Sequence, residues 1–350
     1  MSTIQASNLK NAASASNNIV LDASGNTTFA GTAVMGSSFL RNRIINGNMY
    51  VAQRATSATV TAGTGVPTAS TGYPCVDRFF VYSTGANVTA AQVTATGATP
   101  FLLRITGAAS VTAIGVGQRI ETNNSIDLAG QTCTLSVELA NSLLTTVTWT
   151  ASYANTTDTF GTIGTPTKTQ IATGTFTVTS TLTRYSVNIA VPAAATTGIE
   201  ILFTVGAQTS GTWDIDNVQF EPGSVATPFE RRQFGQELTL CQRYFQRFSA
   251  FCGSNFDSFL SYFGGIGSSS ATQIFPVQMR ATPTGSLSTS TIEYYSYAGS
   301  WTSTTLSPIP LDSQRFYLFC LTDGDGRGKL MRNSGNLTAN QPYASWAAEL

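Results

Sequence analysis

The sequence predicts a mainly β protein built around a central β-sandwich, with a thin β segment before it and a small β domain after it. Three observations predict this. First, apolar and polar residues alternate over long stretches. In Thr132–Leu139, Cys133, Leu135, Val137 and Leu139 alternate with Thr134, Ser136 and Glu138. The same period recurs at Tyr185, Val187 and Ile189, and at Ile199, Ile201, Phe203 and Val205. A period of two puts one face of a strand into a core and the other towards water. Second, these stretches are rich in Thr and separated by Gly, Asn and Pro, as in sandwich proteins. Third, helical spacing occurs convincingly once, at Gln236–Phe248, where Leu238, Cys241, Phe245 and Phe248 lie three, four and three apart.

The elements follow in order. Residues 1–40 form two short strands, Ile19–Asp22 and Thr27–Ala30, joined by the turn Ala23–Asn26 with Gly25. Too little apolar material is present there for a core of its own, so the segment is expected to fold against other chains. Residues 41–232 form the sandwich. Its last strand changes parity: Trp213 and Ile215 share one face, whereas Val218 and Phe220 fall on the other. Keeping all four inward requires one extra residue, a β-bulge at Asp216–Asn217. The bulge either marks a strand end or turns Asp214 and Asp216 towards a ligand or metal. Residues 233–350 carry the helix and a C-terminal β domain dense in aromatics. The helix stripe either lies on a trimer axis or packs on its own chain.

Composition narrows the function. Hydrophobic residues make up 42% of the 350 and charged residues 10%, against roughly 25% charged in ordinary domains. A polar but nearly uncharged surface suits neutral partners, namely sugars or copies of the same chain. Lys+Arg and Asp+Glu are both 18, and no basic stripe is present, so nucleic acid is not expected as a partner. The chain has no histidine, which excludes His-based triads and zincin sites. Five scattered cysteines without a CxxC pair argue against a disulfide framework or zinc site. No run approaches ~18 apolar residues and no leader is visible, so neither membrane insertion nor ordinary secretion is expected.

Two stretches resemble known modules. Asn42-Arg43-Ile44-Ile45-Asn46-Gly47-Asn48-Met49 resembles the opening strand of the jelly rolls in carbohydrate-binding modules, and Trp213 to Gly223 resembles their closing strand. The longer string, through Pro228-Phe229-Glu230-Arg231-Arg232 to Glu237–Phe245, is similar to bacteriophage tail-fibre and related virion proteins, as is Val277–Thr284. Ile19–Phe29 resembles fibre shaft or attachment segments. The resemblance implies a tail-fibre subunit with a jelly-roll domain, assembled in the host cytoplasm and residing in the virion. It implies a homotrimer attached through residues 1–40 to other virion proteins, such as a baseplate or tail hub, and touching host surface polysaccharide with its β domains. The related modules also hold a structural calcium, with an Asp in the closing strand among its ligands. Asp216 matches that Asp and Asn48 is a further oxygen donor, but Met49 and Tyr50 stand where a second acid belongs.

For sugar contacts the sequence offers aromatic rings beside small polar residues. Tyr294, Tyr295, Tyr297 and Trp301 form the expected receptor patch; Trp149 and Tyr153, with Tyr73 and Tyr82, are the central-domain candidates. No catalytic residue is expected. Two alternatives are a capsid fibre or decoration protein, and a tail-spike hydrolase using Asp214 and Asp216 as its carboxylate pair. Asp323–Gly328 reads as a tight turn and not as a calcium loop, because Arg327 replaces an acid.

Overall fold

In a computed structural model, the described residues are 8–9, 19–21, 27–29, 40–63, 65–68, 71–95, 99–249, 268–287, 291–295, 301–310, 313–321, 331–333 and 343–350. The N-terminal strands are β1 (Asn8–Leu9), β2 (Ile19–Leu21) and β3 (Thr27–Phe29). β2 and β3 pair antiparallel with Ile19 opposite Phe29, the hairpin expected from the sequence, and β1 adds to the other edge of β2.

The sandwich runs from β4 to β14. Its first strands are β4 (Ser57–Val60), β5 (Phe80–Thr84), β6 (Val88–Thr94) and β7 (Phe101–Thr106). Then come β8 (Ala113–Ile120), β9 (Thr132–Asn141), β10 (Thr146–Ala154) and β11 (Lys168–Thr177). The last are β12 (Thr183–Ala190), β13 (Ile199–Val205) and β14 (Thr212–Pro222). One sheet has the order β11-β10-β13-β8-β5 and the other β12-β9-β14-β7-β6-β4. Alternation builds the core of this jelly-roll sandwich. Cys133, Leu135, Val137 and Leu139 of β9 face Ile199, Ile201 and Phe203 of β13 and Val147 and Ala151 of β10 in one buried cluster. The expected bulge is present: Asp216 pairs with Glu138 and Gln219 with Ser136, so three steps on β14 span two on β9. Asn217 takes φ 47° there, and Trp213, Ile215, Val218 and Phe220 are all buried.

The Asn42–Met49 segment departs from the expected opening strand. It is irregular, because its side chains take over the backbone bonding. Asn46 sits at φ 61°, a region Asn tolerates. Its amide oxygen accepts from Val51 N at 2.8 Å, while its amide nitrogen donates to Val51 O and Asp77 O at 2.8 and 3.0 Å. Gly47 follows because a Cβ there would overlap the Val218 carbonyl. The segment still lies against the closing strand, with Arg43 N donating to Phe220 O at 2.8 Å and Val218 N to Gly47 O at 2.9 Å.

The remaining strands follow α1 (Phe234–Gln242): β15 (Phe245–Ser249), β16 (Ser268–Ile274), β17 (Thr284–Leu287) and β18 (Thr291–Tyr295). After them come β19 (Trp301–Pro310), β20 (Arg315–Leu321), β21 (Met331–Asn333) and β22 (Tyr343–Ala347). They form sheets β15-β22-β17 and β16-β20-β19-β18-β21. The helix is shorter than Gln236–Phe248: it stops at Gln242, and Phe245–Ser249 pairs with Tyr343–Ala347 instead. Long-range strand pairing overrides the local 3–4 spacing. Leu238, Leu240 and Cys241 pack with Ile45, Val51, Ala154, Phe160, Tyr244 and Leu350 of the same chain. Of the two readings of the helix, these contacts are the own-chain one.

A buried ionic belt joins the C-terminal residues to the sandwich. Arg78 pairs with Glu349, which also accepts from Arg54 at 3.2 Å. Arg119 donates to Glu200 at 2.8 Å and to Leu350 O at 2.8 Å. Asp77 lies in the same belt, accepting from Gln53, and burial pushes its carboxyl up to about 6 against the favourable charge of Arg54. The folded value exceeds the unfolded value of 3.8, so the native state holds the proton more tightly. The associated stability is fully present below about pH 4 and declines as pH rises to about 6. Asp77→Asn should therefore flatten the change in urea midpoint between pH 4 and pH 6, while the wild type loses stability across that window.

Candidate functional site

The chemistry of the outer face of the five-stranded sheet follows directly from strand register. Residues directly opposite in antiparallel strands share a face, so the register places rows across the sheet. One row reads Thr175, Thr148, Thr204, Gly115, Tyr82, and the next Thr173, Thr150, Leu202, Gly117, Phe80. Gly115 is required because a Cβ would overlap the Tyr82 ring, and Gly117 because it would meet Phe80. The two rings therefore lie down on the glycines. Tyr73, Val66, Ile163 and Leu202 complete the cluster around them. Thr173 and Thr175 are exposed and Thr148, Thr150 and Thr204 half-buried, with Thr150 and Thr173 hydroxyls 3.0 Å apart. A third row, Gln170, Ser152, Glu200, Arg119, brings charge onto the face. There Arg119 and Lys168 both pair with the buried Glu200, so the charge is confined to this end of the face. The open part of the face is thus an uncharged strip of hydroxyls ending at aromatic rings.

The sequence candidates are distributed differently from expectation. Trp149 is 6% exposed and belongs to the inter-sheet core; it shares parity with Val147 and Ala151, which point inward. Tyr153 has the same parity and packs half-buried against that core. Neither forms an open platform. Tyr82 and Tyr73 do border the outer face, the first 8% and the second 5% exposed. Tyr294 and Tyr295 end β18, and Tyr295 pairs in register with Trp301 of β19; Tyr297 and the Asp323–Gly328 turn lie outside the described residues. The residues missed were Thr148, Thr204, Gly115 and Gly117. The Gly-Val-Gly of β8 was the available signal, because glycines two apart in a strand mark a face on which neighbouring side chains lie.

The two acids of β14 have separate environments. Asp214 accepts from Arg104 Nε and Nη2, both at 2.7 Å. Asp216 is fully buried, accepts from the Thr99 hydroxyl and from Asn217 N at 2.7 Å, and burial pushes its carboxyl up to about 7. The neighbouring Asn48 and Asn217 side-chain oxygens are buried without a hydrogen-bond partner. Unpaired buried oxygens next to a desolvated carboxylate are the donor type a hard cation takes. Among the described residues no group of three or more His, Cys, Asp or Glu could hold a metal, so amide and carbonyl oxygens would supply most ligands.

The strings that resemble virion proteins act as clasps. Glu230, in Pro228–Arg232, accepts the backbone N–H groups of Leu40, Arg41 and Asn42 at 2.8, 2.7 and 2.9 Å. Arg280, in Val277–Thr284, donates to Ala348 O at 3.0 Å and Glu349 O at 3.2 Å.

No family model matches the chain, and no curated protein does. Among solved structures it is similar to the enzymatically active domain of tailspike protein 4 of bacteriophage CBA120, at 20% identity and TM-score 0.31 over 46% of this chain. The chain covers 21% of that tailspike chain. It is also similar to a family 4 carbohydrate-binding module, at 15% identity and TM-score 0.34, over 51% of this chain and 98% of the module. A family 61 carbohydrate-binding module solved with β-1,4-galactotriose gives 11% identity and TM-score 0.32, over 52% and 99%. At such values the sandwich rests on its own strand order, and its function on the residues described above.

Proposed function

We propose that this protein is a non-catalytic polysaccharide-binding subunit of a phage tail fibre, with the outer face of the five-stranded sheet as its glycan-binding surface. The observation that carries the binding half is the uncharged Thr148–Thr204–Thr175 strip abutting Tyr82. Hydroxyls offer both donors and acceptors to sugar hydroxyls, and the buried Tyr82 and Phe80 rings hold the end of the strip in place. Purified protein should co-sediment with host envelope polysaccharide and leave its chain length unchanged. Release of reducing ends, lost on Asp214→Asn or Asp216→Asn, would establish the tail-spike hydrolase instead.

The fibre half rests on the Ile19–Phe29, Trp213–Phe245 and Val277–Thr284 strings and on the thin N-terminal ribbon. In this reading the subunit is a homotrimer in the virion, docked through residues 1–40 on another virion protein. Deleting those residues should leave a soluble trimer that no longer enters particles. Normal incorporation would refute the attachment role, and particle density would place the subunit on tail or capsid.

A structural calcium belongs to the same proposal. Asp216, Asn48 and Asn217 would hold it, and its charge would satisfy the buried oxygens. Calcium should raise the thermal midpoint at neutral pH and chelation reverse the gain; an unchanged midpoint would remove the metal from the account.

A further inference from the structure

Beside the proposed glycan face, the side opening of the sandwich between β4 and β5 holds a cleft of about 310 Å³. Thr59, Thr61 and Thr71 are the polar residues that line it, and Val60, Val66, Pro74 and Val81 the apolar ones. Backbone bonds hold the described residues around it. Val81 N donates to Gly72 O at 2.8 Å and Thr68 N to Thr71 O at 3.0 Å. Gly72 sits at φ 92°, with Val66 and Pro67 at contact distance from the position of a Cβ. The volume lies at the small end of the roughly 300–1,000 Å³ of ligand pockets, enough for one ring and not for a chain.

Its chemistry selects the ligand class. No acidic or basic side chain lines it. The Tyr73 hydroxyl is already committed to Leu350 O at 3.1 Å, and burial holds its pKa well above the usual tyrosine range. An ionic ligand would lose its hydration there without gaining a counter-charge. A sugar ring has the same split as the lining, an apolar C–H face and a hydroxyl edge. Packed aromatic side chains link the lining of the cleft to the residues of the sheet's outer face. The Tyr73 ring meets Phe80 edge-on at 6.3 Å, Phe80 lies over Gly117, and Val66 borders both the cleft and this aromatic cluster.

We propose that this cleft is a single-ring subsite for an uncharged sugar, taking the end or a branch of the glycan whose chain lies along the threonine strip. The proposal rests on the glycan-binding reading of the outer face and adds a second, independently testable site. The full chain is titrated with methyl β-glucoside, methyl β-galactoside and N-acetylglucosamine, with glucuronate as the charged counterpart, by saturation-transfer NMR. At least one neutral sugar should bind and glucuronate should not. Thr59→Val with Thr61→Val keeps β-branched residues in and just after the edge strand β4 and removes two hydroxyls. It should weaken neutral-sugar binding about tenfold, from about 0.5–1.5 kcal/mol per hydrogen bond, at an unchanged thermal midpoint. Val66→Phe, which fills the cleft, should do the same by exclusion. Binding of none of the neutral sugars, equal binding of glucuronate, or affinity untouched by both variants would overturn the subsite. Neutral-sugar binding with no polysaccharide binding would remove the face and keep the cleft; polysaccharide binding with no single-sugar binding would do the reverse.

Discussion

Replacing Glu349 by Ala should destabilise the protein by about 3–5 kcal/mol, the loss found when one partner of a buried ion pair is removed. Arg78 is 1% exposed and its guanidinium stacks on Tyr244 at 3.5 Å, so no water can replace the carboxylate. Arg54 loses the same partner. The effect should appear as a lower urea midpoint together with release of residues 347–350, read as faster amide exchange. A change under ~1 kcal/mol would mean that the belt does not hold the C-terminal residues to the sandwich. The apolar contacts of Leu350 with Cys241 and Phe160 would then be the attachment.

Placing lysines on the hydroxyl strip should abolish polysaccharide binding while sparing the fold. Thr148 and Thr204 are half-buried neighbours in register on the outer face, and neither side chain is part of the core. A double Thr148→Lys, Thr204→Lys variant introduces two like charges on paired strands. It also blocks the strip with long, strongly hydrated side chains. Affinity for a neutral polysaccharide should fall at least about tenfold, equivalent to ~1.4 kcal/mol, with the thermal midpoint lowered only modestly by the facing like charges. Retained affinity would move the binding surface elsewhere, and the β18–β19 pairing of Tyr295 with Trp301 would be the next place to test.

Much of the fold was legible because one-sided burial leaves a period-two record. β9, β12 and β13 all appear where alternation placed them. The parity change between Ile215 and Val218 located the bulge to the Asp216–Asn217 region, since a buried face tolerates no slip. The same parity holds Trp149 with Val147 and Ala151 in the core, and following it would have removed that ring from the candidate platform. The end of α1 was not legible. Phe245 and Phe248 continue a helical spacing, and only the distant partner strand Tyr343–Ala347 turns them into β15. The Asn46-Gly47 and Pro228–Arg232 motifs were visible as strings, but their work was not. Asn46 bonds Val51 and Asp77, and Glu230 bonds three amides nearly 190 residues away in the chain. Such contacts leave no local period. The threonine strip was hidden for a related reason: no segment contains it, and register alone assembles it from β10, β11 and β13.

Amide exchange of the full chain with and without a neutral polysaccharide tests the central claim most directly. Slowed exchange concentrated in β10, β11 and β13, with the Val66–Pro74 loop, is the predicted result. Slowed exchange confined to the six-stranded sheet or to residues 268–347, with β10 and β13 unchanged, would contradict the account.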